Sequence, residues 1–193
     1  MTAEIILASA SPRRRELLEQ MGLAYLVRVA EVDESVLVSE PPVDYVRRVA
    51  AKKSQQVWQS SDHCLPVLSA DTSVVLNGMI MGKPKDQVDA LIMLEALSGV
   101  THQVLTAVSL RYGQHWQALS ISEVTFRVLS AQEIRDYWAT GEPVDKAGGY
   151  AIQGLGAMFV ERCSGSYSGI VGLPLFETMS LLENVGVKVL KQA

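Results

Sequence analysis

The sequence lacks most of the short signatures that identify an enzyme's chemistry. It has no GxxxxGK[ST] phosphate loop, no GxGxxG turn behind a strand, no HExxH helix and no GxSxG elbow. Cysteine is scarce. Cys64 and Cys163 stand far apart and form no CxxC pair, which argues against a disulfide scaffold and against a zinc site. The histidines His63, His102 and His115 are scattered, which disfavours a histidine-activated nucleophile. Basic charge is not in excess. The formal net charge is −4, whereas a broad nucleic-acid surface calls for a clearly basic balance. No apolar run approaches the ~20 residues of a membrane helix. The start, MTAEIILAS, has neither the basic nor the long apolar segment of a signal peptide, so the cytoplasm is the expected location.

Repeats, low-complexity tracts and long linkers are also missing. With 193 residues, 48% of them hydrophobic, the chain can bury a substantial core, and one domain over 1–193 is expected. EIILAS reads as a strand, with Ser11 and Pro12 as the N-cap and first residue of a helix ending at Gly22. LAYLVRVA reads as a second strand. Pro41 and Pro42 open a long helix whose apolar face carries Val46, Val49, Ala50 and Val57. PVLSADTSVVLN is an apolar, β-branched strand ending in the hairpin signal Asn77-Gly78. A helix over 86–98 comes next, then long strands over 101–112 and 115–128 around Gly113. Ser130 to Glu133 is a capping box. KAGGYAIQGLG reads as loop, MFVERCSGSYSGIVG as a hairpin, and 174–184 as a last helix. Interleaved helices and strands predict an α/β fold with an elongated mixed sheet and flanking helices.

The informative residues are charges that break these patterns. A helix N-terminus carries a partial positive charge and unpaired N–H groups, so acids belong there. Here Arg13, Arg14 and Arg15 occupy the first turn. That arrangement suits a site for an anion, with the Ser9 and Ser11 hydroxyls, free N–H groups and an arginine fork converging on phosphate oxygens. Successive residues turn by 100°, so the arginines cannot all face one ligand, and Arg15 is expected to face solvent.

Asp71 is the one charge in the strand from Pro66 to Asn77. Alternation places it with Val67, Ser69, Ser73 and Val75, opposite Leu68, Ala70, Thr72, Val74 and Leu76. A buried carboxylate is costly, so Asp71 faces water, pairs with a cation or binds metal. Lys53 falls on the apolar stripe of its helix, either snorkelling or aimed into a cleft. Lys83 and Lys85 come after the hairpin, Asp33 and Glu34 after the second strand, and Gln153 sits among glycines that let backbone approach a ligand. An anion-binding helix start, extra lysines and several carboxylates together suit a phosphoanhydride substrate with a divalent metal. Carboxylates hold Mg²⁺ with phosphate oxygens and water, cations offset charge on the leaving phosphate, and one carboxylate draws a proton from water.

LASASPRRRELL, AAKKS, LSADTSVVLNG, MGKPKD, LSGVTHQVLTAV, EVTFR and GEPVDKAGGYAIQGLGAMFV resemble, in order, the Maf family of nucleotide pyrophosphatases. The resemblance runs from about residue 5 to about residue 178. It implies a two-lobed fold with a cleft, like that of inosine triphosphate pyrophosphatases, and commonly a homodimer. It also implies metal-dependent hydrolysis, with Mg²⁺ or Mn²⁺, of a nucleoside triphosphate between its α and β phosphates. Carried over by motif, Ser9, Ser11, Arg13 and Arg14 contact substrate. Asp71 is the general base and a metal ligand, Glu34 a second ligand, and Lys53 and Lys83 catalytic cations.

Thr72 after the aspartate, together with Gln153, resembles the branch acting on dTTP and UTP, with modified pyrimidine nucleotides also expected. Arg13, Thr72 and Gln153 form the specificity set, because a carboxamide suits the O4/N3 edge of thymine or uracil. The rival readings are the 7-methyl-GTP branch of the family, a nucleotide-binding regulator of cell division, and a plain phosphatase.

Overall fold

The computed structural model describes residues 3–189. Strands β1 (Ile5–Leu7), β2 (Tyr25–Val27), β3 (Val67–Leu76), β4 (Met79–Met81), β5 (Thr101–Tyr112), β6 (Gln114–Phe126) and β7 (Val160–Ser164) form one mixed sheet. Its order is β2-β1-β3-β5-β6-β7, with β4 paired to β3. The two pairs made by β1 are parallel and the others antiparallel. The hairpin after β3 turns at Asn77 and Gly78, whose φ values of 51° and 77° are the left-handed pair a type I′ turn demands.

Helices α1 (Pro12–Gln20), α2 (Pro42–Gln59), α3 (Gln87–Leu97), α4 (Ala131–Ala139), α5 (Tyr167–Val171) and α6 (Leu175–Glu183) flank the sheet. Alternation along β3 and β5 assigns their two faces. Val75, Leu105 and Ala107 pack under Val46, Val49 and Ala50 of α2. Leu68, Ala70, Val74, Val104 and Val108 face the larger core, with Leu94, Leu97, Ile134, Tyr137 and Leu182. The Ser130–Glu133 capping box forms in full, and Asp86 caps α3 by accepting from the Asp89 N–H.

Two expectations change. Ser11 stands at the N-cap of α1 in extended conformation, but its hydroxyl makes no capping bond. The segment MFVERCSGSYSGIVG is not a hairpin. β7 pairs with β6, and the chain then turns into the five-residue helix α5, where Ser166 accepts from the Gly169 N–H. The S-x-S-G spelling is an N-cap signal, and here it outweighs the β-branched residues Ile170 and Val171. Among the described residues no helix is long and apolar enough to cross a membrane.

Candidate active site

The C-terminal end of β1, the first turn of α1, the middle of β3 and the middle of α2 meet at one place. A cleft of about 1060 Å³ opens there, lined by Ser9, Ser11, Arg13, Arg14, Glu34, Lys53, Asp71, Thr72 and Lys83. Nine of the ten predicted site residues therefore share one cavity, although they span positions 9 to 83. Crossover connections made from parallel strands bring strand ends and helix starts to one side of a sheet, which accounts for the convergence.

Asp71 is 6% exposed and points towards α2, where the Lys53 Nζ donates to its Oδ1 at 2.8 Å. The same Nζ lies 2.9 Å from the Glu34 Oε1. The lysine on the apolar stripe is thus aimed into the cleft, and the strand acid pairs with a cation. Burial holds the Asp71 carboxyl above the usual carboxylate range, although Lys53 and Arg14 pull against it.

Glu34 comes from a loop with little regular structure, which α2 pins in place. The Gln56 side chain donates to the Glu31 carbonyl, Tyr45 Oη to the Glu34 carbonyl, and Arg48 to the Ser35 carbonyl and the Glu40 carboxylate. This lattice separates the two adjacent acids. Asp33 turns outward and accepts from the Ser35 N–H, whereas Glu34 reaches Lys53. Tyr45 lines the cleft and its hydroxyl is pushed up to about 12, by burial first and then by Asp71 and Glu34. Tyr45 lies eight residues before Lys53 on the same α2 stripe, and that spacing is its signal in the sequence.

On the other face of β3, Arg14 is held by three bonds. Its Nε donates to the Gly172 carbonyl at 2.8 Å, Nη1 to Ser9 Oγ at 3.1 Å, and Nη2 to Thr72 Oγ1 at 3.3 Å. Thr72 Oγ1 also pairs with Thr106 Oγ1 at 2.9 Å, and Thr106 donates to the Gly169 carbonyl. The short helix α5 therefore anchors the guanidinium. Gly172, at φ 130°, allows the turn that presents its carbonyl to Arg14. Arg13 lines the cleft and forms no hydrogen bond with another described residue. Arg15 is outside the lining and donates to the Ala10 carbonyl. Arg13 and Arg14 thus line the cleft and Arg15 does not, but Arg15 is half-buried, against the expectation that it faces solvent. Lys83 lines the cleft, whereas the backbone N–H of Lys85 bonds the Asp89 carboxylate at the start of α3.

Gln153 departs from expectation. It is exposed and outside the lining, although its neighbour Ile152 lines the cleft. The approach its flanking glycines permit is made by a carboxylate of the chain itself. A Cβ on Gly154 would stand 2.1 Å from the Glu142 Oε2. Glu142, Asp145, Lys146 and Tyr150 belong to a stretch recognised in the sequence as a motif, yet none carries a pattern break that would single it out. Asp145, Lys146 and Tyr150 line the cleft.

The histidines stay apart. His102 bonds Tyr150, His115 bonds Ser109, and His63 stacks on Trp58. Among the described residues no group of three or more His, Cys, Asp and Glu converges as for a metal. Glu34 and Asp71, joined on Lys53, fit a Mg²⁺-type ion that takes one or two protein carboxylates and fills its remaining positions with phosphate oxygens and water. They do not form a closed protein cage.

The class the fold and cleft define is a mixed α/β protein in which a cationic helix start and a buried, lysine-paired carboxylate line one cleft. Comparison with known proteins makes this particular. The family model described as Maf-like protein matches residues 4–185, and the chain belongs to that family. A dTTP/UTP pyrophosphatase of Methylococcus capsulatus is 55% identical over 95% of this chain and 92% of its own length. Proteins with the same description from Nitrosomonas europaea and Hahella chejuensis are 52% and 50% identical, each over 96% of this chain and 96% and 94% of their own lengths. Solved structures give a partial likeness. The Staphylococcus aureus Ham1 protein has TM-score 0.47 at 15% identity, over 64% of this chain and 71% of that one. The nucleoside-triphosphatase / dITP/XTP pyrophosphatase of Mycobacterium abscessus has TM-score 0.43 at 15% identity, over 64% and 72%.

Proposed function

We propose that this chain hydrolyses dTTP and UTP to the nucleoside monophosphate and pyrophosphate. The observation that carries the reading is the buried Asp71 carboxylate, paired with Lys53 at the floor of a cleft lined by Arg13, Arg14 and Lys83. Full-length relatives described as dTTP/UTP pyrophosphatases support the choice of substrate.

Arg14, fixed by Gly172, Ser9 and Thr72, presents part of its guanidinium to phosphate without having to be ordered first, so less conformational entropy is lost on binding. Asp71 takes a proton from the attacking water. A water oxygen–phosphorus bond forms at the α phosphate, the bond to the α–β bridging oxygen breaks, and pyrophosphate leaves. A base with a raised pKa is better matched to this step near neutral pH than an ordinary aspartate. Lys53 keeps Asp71 ionised and in place, and Lys83 offsets charge on the departing phosphates. Mg²⁺ or Mn²⁺, held by Glu34 and Asp71, supplies further neutralisation of phosphate charge when bound. Arg13 and Thr72, which line the cleft, are read as selecting the base, with Gln153, next to the lining residue Ile152, as the third member of the set. The reading carries with it one domain over 1–193, a cytoplasmic place and a homodimer.

The test is a panel of nucleoside triphosphates with Mg²⁺ or Mn²⁺, scored by chromatography of the products. Pyrophosphate with UMP or dTMP, formed faster from UTP and dTTP than from the other nucleotides, is the expected result. Orthophosphate in place of pyrophosphate, or a preference for 7-methyl-GTP, overturns it.

A further inference from the structure

Glu142 bonds the backbone just after Gln153, a member of the expected specificity set. Its Oε1 accepts from the Gly156 N–H at 2.9 Å and from Tyr137 Oη at 2.7 Å, and its Oε2 accepts from the Leu155 N–H at 2.9 Å. Tyr137 Oη in turn accepts from the Ala151 N–H at 3.1 Å. One carboxylate and one phenol thus hold backbone on both sides of Ile152 and Gln153. Gly154 leaves room for this, since any side chain there would collide with the carboxylate. Burial alone would raise the Glu142 carboxyl, but the bonds from Gly156, Tyr137 and Leu155 outweigh it and keep the group ionised.

Arg13 comes from the other end of the chain; burial lowers its pKa, and the charge of Glu142 acts against that shift. It lines the cleft and has no hydrogen-bond partner of its own among the described residues. A carboxamide alone is a poor discriminator between uracil and cytosine, because half a turn exchanges its donor and its acceptor. Selection needs the amide held in one place and a charge beside it. A nearby cation favours the uracil edge, with its O4 acceptor, over the cytosine amino group.

We propose that Glu142 is a positioning residue for base selection, its carboxylate fixing the 151–156 turn that carries Gln153. The inference rests on the pyrimidine reading above and assigns the residue that makes it selective.

The test compares kcat/KM for UTP and CTP in the wild type, Glu142→Gln and Tyr137→Phe. The glutamine keeps the volume but offers one acceptor oxygen where two are used. The phenylalanine keeps the ring in the core and deletes the hydroxyl. Glu142→Gln should lower the UTP/CTP ratio about tenfold, mainly through KM for UTP, and Tyr137→Phe about threefold, each with far-UV dichroism unchanged. A ratio unchanged in both variants overturns the inference, even if both are slower on every nucleotide. If Glu142→Gln does not fold, Tyr137→Phe decides alone. A wild type that shows no preference for UTP over CTP would instead defeat the substrate reading itself.

Discussion

Asp71 on β3 and His102 on β5 are both buried titratable groups of the central sheet, and they are held in opposite ways. His102 is 1% exposed, edge-on to Phe126 and Tyr150, with one hydrogen bond of 2.8 Å between its Nε2 and Tyr150 Oη. In that aromatic nest burial pushes its pKa down to about 4. It is kept neutral. Asp71 suffers the same loss of solvent, but Lys53 donates to it and Arg14 lies on the far side of its strand. Its counter-charges make ionisation available at a place where the cleft admits a ligand. Burial sets the cost of charge in both cases. Whether the charge survives depends on what the neighbouring elements supply.

The sharpest way to break this comparison is Asp71→Asn. Loss of a positioned base should lower kcat by a factor of about 10² to 10⁴, with nucleotide binding retained. A carboxyl whose folded pKa is raised adds stability that is present below its unfolded pKa and lost as the pH climbs through the folded value. At neutral pH Asp71 therefore costs stability, and Lys53 keeps Glu34 as partner in the variant. The melting temperature at pH 7 should be equal to or above that of the wild type. A clear fall would mean the pair is structural.

Lys53→Met comes next. It leaves Asp71 buried without its donor and Glu34 without its cation, and should cost about 3 kcal/mol in denaturant unfolding at pH 7. A variant as stable as the wild type would show that the two carboxylates do not need the ammonium.

The last test sharpens the other side, because its effect shows only as the pH falls. His102 has a folded pKa of about 4, below the unfolded value of ~6.5. Its contribution is present above pH ~6.5 and lost as the pH falls towards the folded value, by about 3 kcal/mol across that window. His102→Gln can still bond Tyr150 but cannot take up the charge. Its unfolding free energy should fall less steeply between pH 6.5 and 4 than that of the wild type. Parallel curves would refute the assignment.

Legibility differs along the chain for physical reasons. The apolar stripe of α2 and the alternation of β3 are local periodicities, so the two pattern-breaking charges at 53 and 71 stand out before either has a partner. The capping box at Ser130 and the Asn77-Gly78 turn are equally local, because they are bonds and dihedrals within four residues. The stretch after residue 157 misleads because a strand whose partner lies far back in the chain, and a five-residue helix, carry almost no period of their own. Gln153 is placed by resemblance, and the structure sets it just outside the cleft lining.

By itself, the sequence determined which residues are out of place: arginines where a helix prefers acids, a carboxylate in an apolar strand, a lysine on an apolar stripe. Periodicity and the local electrostatics of a helix end suffice for that. Only the tertiary structure decided what each one meets. It chose Glu34 over Asp33 through tethers from α2, gave Arg14 its anchor 158 residues away at Gly172, and put Glu142 against the turn of Gln153. Those choices rest on loop closure and on long-range hydrogen bonds, and neither leaves a period in the chain.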